Sequence, residues 1–152
     1  MRKLFAVVVI ALACSSSAFA QRYNLPNPVQ AVLDAPAAGA VVSPHVMFGG
    51  WAFNWRTCRH ASSVILARVN LSTKEVVFVP STVYWGPRPD VQAYAQWGGC
   101  QAAEIALGFT LIPNEPQPYG PWQYSLLVTD LQADPDALNW TAPEIRRKLI
   151  VQ

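Results

Sequence analysis

The sequence predicts an all-β protein, an antiparallel β-sandwich of seven to nine short strands with one short helical turn. Three observations carry this. Apolar residues recur with a period of two in short runs along most of the chain. Those runs are punctuated by turns rich in proline and glycine, of which there are 13 and 8. Only Pro89–Gln96 reads as helix, and it is too short to form a layer of its own.

Val29–Leu33 is the first apolar piece, and it ends at Asp34-Ala35-Pro36. Val41-Val42 starts a second piece, which Ser43-Pro44 breaks. From Val46 the alternation sets Val46, Phe48, Gly50 and Ala52 on one face and Met47, Gly49, Trp51 and Phe53 on the other. Neither face is polar, so this strand is expected to be covered on both sides. Gly49-Gly50 within it marks a bulge or the close approach of another backbone. Asn54–Ala61 is polar and reads as a loop. Ser63–Leu71 and Glu75–Val79 form a hairpin around Asn70–Lys74, Pro80 stops it, and Thr82–Trp85 adds a continuation.

Tyr84–Val91, Tyr-Trp-Gly-Pro-Arg-Pro-Asp-Val, is too rigid for a strand interior and reads as a junction between sets of strands. Asp90 is positioned to cap the helical turn that follows, and Gly98–Cys100 ends that turn. Ile105–Leu111 alternates as a half-buried strand. Pro113–Pro121 is a loop, Tyr124–Asp130 a strand, Leu131–Pro143 an acidic loop, and Arg147–Val151 the closing strand.

Residues 1–20 read as a signal peptide and are set apart from the fold. Met1-Arg2-Lys3 is basic, Leu4–Ala13 is apolar but too short to span a bilayer, and Ala18-Phe19-Ala20 suits cleavage before Gln21. Ala11-Leu12-Ala13-Cys14 offers a competing reading as a lipid-anchor site at Cys14, and simple cleavage is favoured over it. Residues 21–28 form a loose lead-in, and residues 29–152 form one domain. The protein is therefore expected in the periplasm or outside the cell, with no transmembrane span.

The chain carries 11 basic and 9 acidic side chains, and removing Arg2 and Lys3 with the leader leaves 9 of each. A neutral domain has no electrostatic drive towards a phosphate backbone, so no nucleic-acid partner is expected. Of the 3 cysteines, Cys58 and Cys100 remain beyond Cys14. An even pair in an exported chain is expected to form a disulfide, worth about 4 kcal/mol by loop closure, with two buried free thiols as the alternative.

Several stretches occur in a telling order: Ala35-Pro36-Ala37-Ala38-Gly39-Ala40-Val41-Val42-Ser43, Gly50-Trp51-Ala52-Phe53, Gly86-Pro87-Arg88-Pro89-Asp90-Val91, Gly108-Phe109, and Tyr124-Ser125-Leu126-Leu127-Val128. Together they resemble the immunoglobulin-like sandwich modules of bacterial secreted and surface proteins, over nearly the whole mature chain. The resemblance implies a non-catalytic module, a spacer, adhesive unit or accessory domain. Asn54–Ala61 and Gly98–Ala103 look enlarged against that pattern, and each holds one cysteine. Such modules commonly occur as repeats or within larger proteins, whereas here a single module is expected as the whole export product.

The candidate binding surface is Trp85, Arg88, Asp90, Tyr94, Trp97, Tyr119 and Trp122. Aromatics in or beside loops stack on sugar rings or grip a protein partner, and they also plug the ends of a sandwich. Arg88 and Asp90 present a guanidinium and a carboxylate, although a local cap and ion pair is the favoured role for them. Asp130, Asp134, Asp136 and Glu144 are oxygen donors without the spacing of a calcium loop, so no metal or cofactor is expected. His45 and His60 accompany no nucleophile or paired carboxylates, so no catalytic residue is assigned. The expected function is an exported, non-catalytic module with a protein or glycan partner. The alternative is a small secreted hydrolase or inhibitor with a loop-built cleft at one end of the sandwich.

Overall fold

The computed structural model describes residues 28–130, 138–139 and 146–152. The expected signal peptide, Cys14, most of the lead-in, Asp134, Asp136 and Glu144 lie outside the described residues. The strands, in chain order, are β1 (Val29–Ala35), β2 (Val41–Val42), β3 (Phe48–Asn54), β4 (Arg59–His60), β5 (Ser63–Asn70) and β6 (Val76–Val79). After them come β7 (Ser81–Gly86), helix α1 (Pro89–Trp97), β8 (Gly108–Pro113), β9 (Gly120–Thr129), β10 (Leu138–Asn139) and β11 (Arg146–Val151). With the two-residue pieces set aside, eight strands remain among the described residues, within the range the sequence predicts.

Two sheets face each other. One runs β1-β3-β8-β7 with β4 beside β3, and the other runs β2-β11-β9-β5-β6 with β10 beside β9. Among the described residues every pairing is antiparallel except that of β2 with β11, where Val41 and Val42 lie parallel to Ile150 and Val151. The core follows from alternation. Ala31, Leu33, Phe48, Phe109 and Leu111 from the first sheet meet Val64, Leu66, Tyr124, Leu126, Val128 and Leu149 from the second. Phe48 and Tyr124 bridge the layers with ring centroids 5.0 Å apart. Burial pushes the Tyr124 phenol up to about 12, and its hydroxyl donates to Gln117 Oε1 at 3.3 Å.

A second, smaller core lies on the opposite face of the first sheet. Phe53, Trp55, Val91, Ala95, Cys100, Ala103 and Leu107 pack there beneath α1. This explains the two apolar faces of β3: Phe53 is covered by the helix, while Met47 at the other end is exposed. The disulfide between Cys58 and Cys100, 42 residues apart with Cα atoms 5.5 Å apart, joins the Asn54–Ala61 and Gly98–Ala103 segments across this core.

Four readings of local structure are corrected. Thr82–Trp85 does not continue the hairpin, because the chain switches sheets at Pro80 and β7 pairs with β8 instead. Asp90 does not cap α1. Pro89 takes the first helical position, where its fixed φ suits the helix, so Arg88 is the N-cap and Asp90 falls in the first turn. The strand expected from Ile105 begins only at Gly108, because the Ile105 carbonyl is committed to the Arg88 and Leu107 N–H groups, each at 2.9 Å. The strand expected from Tyr124 begins earlier, at Gly120, which places Trp122 within β9. At the end of the lead-in, Pro28 is already seated: its carbonyl accepts the Trp55 N–H at 3.0 Å.

Candidate functional site

Strand register builds a nearly bare patch on the outer face of the first sheet. Gly49 pairs with Thr110, which pairs with Tyr84, and Trp51 pairs with Gly108, which pairs with Gly86. Alternation turns these two rows outward, since the intervening row of Gly50, Phe109 and Trp85 faces the core. Three of the six outward positions are glycine. The result is an open depression of about 370 Å³ whose lining includes Asp34, Gly49, Tyr84, Gly86, Arg88 and Thr110. Tyr84, 58% exposed, forms one wall.

Arg88 crosses this face. A Cβ on Gly108 would sit 2.5 Å from Arg88 Cγ, so the glycine is what lets the arginine stem lie flat on the sheet. Its Nε and Nη2 donate to Asp90 Oδ1 and Oδ2 at 2.8 and 2.7 Å. Its Nη1 donates to Asp34 Oδ2 at 2.6 Å. The bidentate bond to Asp90 is the largest cause holding the Arg88 guanidinium still further above its ordinary range. The same bond holds the Asp90 carboxyl at about 2. Asp34 lies near the end of β1 and Arg88 follows β7, the two edges of the sheet, so the ion triad ties both edges across the glycines.

A second depression of about 220 Å³ is lined by Gln30, Trp51, Asp90, Val91 and Tyr94. Trp51 and Tyr94 contact one another there with centroids 6.3 Å apart. Asp90 faces this depression and Asp34 the first, so the triad stands between the two.

The sequence-derived candidates therefore divide. Arg88 and Trp85 line the first depression, Asp90 and Tyr94 the second. Trp85 is half-buried, packs on the core and stacks on His60 at 4.2 Å. Trp97, at the end of α1, is 72% exposed. Trp122 belongs to β9 of the other sheet and Tyr119 to the loop just before it, away from this face. Trp122 donates its indole N–H to Pro118 O at 3.0 Å and carries the Arg68 guanidinium 5.3 Å above its ring. Gln30, Asp34, Gly49, Tyr84, Gly108 and Thr110 line this surface without any local motif that marks them as site residues. The usable signal was the outward phase of Gly49 and Gly108 within otherwise apolar strands.

The remaining candidates are locally engaged. His60 Nδ1 lies 2.7 Å from Ala61 O and its backbone N–H donates to Glu104 Oε1 at 2.6 Å. Asp130 is buried and accepts from Asn54 Nδ2 at 2.6 Å. Among the described residues no group of three or more His, Cys, Asp or Glu side chains is placed to hold a metal ion. No helix among them is long and apolar enough to cross a membrane.

No family model matches the chain, and no curated protein does. Among solved structures, it is similar to PcoC, a methionine-rich copper resistance protein from Escherichia coli, in two crystal structures. In the selenomethionine form the identity is 14%, with 80% of this chain and 96% of the other covered, at a TM-score of 0.42. In the second form the identity is 13%, with 81% and 99% covered, again at 0.42. A likeness at this level carries no functional argument.

Proposed function

We propose that this protein is an exported, non-catalytic module of immunoglobulin-like type that holds a protein or glycan partner on the outer face of the β1-β3-β8-β7 sheet. The observation that carries the reading is the glycine-floored depression held by the Arg88–Asp34–Asp90 triad. Outward positions of a solvent-facing sheet ordinarily carry polar or β-branched side chains. Here Gly49 and Gly86 leave the backbone bare while Gly108 lies beneath the Arg88 stem, and an open floor of this kind serves close approach by a ligand. Export is supported by the leader-like residues 1–20 and by the Cys58–Cys100 disulfide, a bond that persists in oxidising compartments. A non-catalytic role is supported by the absence of His60 from the lining of either depression and by the pairing of both carboxylates there with Arg88.

The test is a photo-reactive side chain placed at Thr110 in the exported protein, with Phe78 on the opposite sheet as control. Adducts formed from Thr110 and not from Phe78 support the reading, and equal yields, or none from Thr110, overturn it. Mass spectrometry of the same non-reduced sample is expected to show a chain beginning at Gln21. A lipid-modified Cys14 contradicts simple cleavage.

A further inference from the structure

The chemistry of this outer face restricts the ligand further, on the assumption that the face is the binding surface. The floor strands β3 and β8 are each paired on both sides. Their backbone N–H and C=O groups are therefore committed to the sheet, and a peptide lying on this floor finds no unpaired strand there, the edges of the sheet being β1 and β7. Recognition must come from flat contact with the floor, from the aromatic walls and from the polar triad. Tyr84 stands beside the first depression, and Trp51 and Tyr94 stand in the second. Apolar ring faces stack on such walls.

The triad sets the charge preference. One guanidinium meets two carboxylates, so the cluster carries one net negative charge. An anionic ligand would have to compete with two resident carboxylates for a cation they already neutralise. The guanidinium has five N–H donors and spends three on Asp34 and Asp90, which leaves two donors fixed beside carboxylate lone pairs. A fixed array of donors and acceptors between two ring-sized depressions matches a hydroxyl-rich chain of linked rings.

We propose that the outer face of the β1-β3-β8-β7 sheet binds a neutral oligosaccharide. One ring lies over Gly49 and Gly86 against Tyr84, and another lies against Trp51 and Tyr94. The hydroxyl groups between them bond to Arg88, Asp34 and Asp90.

Titration calorimetry on the full oxidised chain tests this with defined probes: hexamers of β-1,4-glucose, α-1,4-glucose and β-1,4-N-acetylglucosamine, a hexagalacturonate as the acidic arm, and a proline-rich octapeptide. Gly49→Val and Gly86→Val fill the floor. Their Cβ positions have open space, the nearest atom to Gly49's being Phe109 O at 3.9 Å, so thermal unfolding is expected to stay near wild type. At least one neutral hexamer is expected to bind, and to weaken by about two- to ten-fold in Gly49→Val and in Tyr84→Ala, the loss of one ring contact. Binding of hexagalacturonate or the peptide that Gly49→Val abolishes overturns the neutral-sugar assignment and retains the outer face. Neutral binding that survives Gly49→Val, Gly86→Val and Tyr84→Ala overturns both. Absence of binding by every probe at millimolar concentration overturns the oligosaccharide proposal, while photo-crosslinking at Thr110 decides the outer face independently.

Discussion

Gly49 and Gly50 are neighbours on β3, face opposite sides of the sheet, and should respond oppositely to the same added methyl group. A Cβ on Gly50 falls well inside van der Waals contact with the Val32 carbonyl oxygen and 2.8 Å from Phe109 Cζ. The first obstacle is backbone of a paired strand and the second is a buried ring, so neither can swing away. β1 also breaks register between Leu33 and Ala35 at this point, which shows how closely the two strands meet around Gly50. Overpacking a filled core costs about 1–3 kcal/mol, and a clash against backbone belongs at the upper end. Gly50→Ala is therefore expected to lose about 3 kcal/mol, a fall in Tm of about 10 °C for a domain of this size. Gly49→Ala meets nothing closer than 3.9 Å and replaces a flexible strand residue, so it should be neutral or gain up to about 1 kcal/mol. Thermal and urea unfolding of the two variants, both oxidised, measures the contrast. Equal destabilisation, or a Gly50→Ala loss below about 1 kcal/mol, would refute the placement of these glycines.

Three further outcomes follow from the same geometry. Reducing or removing the Cys58–Cys100 bridge, with its separation of 42 residues, should cost about 4 kcal/mol in urea unfolding, and reductant should have no effect on a Cys58→Ser/Cys100→Ser chain. Asp90 has a folded value of about 2 against an ordinary 3.8. Its contribution is thus present above about pH 4 and lost as pH falls towards 2, and acid unfolding of Asp90→Asn should lack that component. Tyr124 runs the other way: with a folded value of about 12 against an ordinary 10, its contribution holds below pH 10 and fades as pH rises to 12. Tyr124→Phe should remove that alkaline loss, at a cost of about 1 kcal/mol at neutral pH for the hydrogen bond to Gln117.

The sandwich was legible because its strands are written in local alternation. Phe48, Gly50 and Ala52, or Tyr124, Leu126 and Val128, declare a face without knowledge of their partners. The errors arose where a distant partner decides. Pro80 ends a strand in either reading, and only the pairing of Ser81–Gly86 with β8 shows that the chain has changed sheets. Ile105 alternates correctly but gives its carbonyl to Arg88, so the ladder begins three residues later. Strands as short as β4 and β10 carry no period of their own.

The outer-face groove was illegible for the same reason. Asp34 and Arg88 are 54 residues apart, and nothing local names one as the partner of the other. Gly49, Gly86 and Gly108 look like three unrelated strand glycines until register sets them in adjacent rows. The Gly86–Val91 motif was distinctive in sequence because it performs several structural tasks at once. It ends β7, starts α1 at Pro89, and sends Arg88 across the sheet. The motif is therefore both scaffold and rim of the groove, roles that the linear sequence presents as alternatives.

The most direct measurement is a two-dimensional amide spectrum of the isotope-labelled protein, recorded while a neutral hexasaccharide is titrated in. The amides of Gly49 and Gly86 are expected to shift first, together with those of Tyr84, Arg88, Gly108 and Thr110, while those around Tyr119 and Trp122 stay in place. Shifts centred on Tyr119 and Trp122, or an unchanged glycine floor under a bound sugar, would contradict binding at this face.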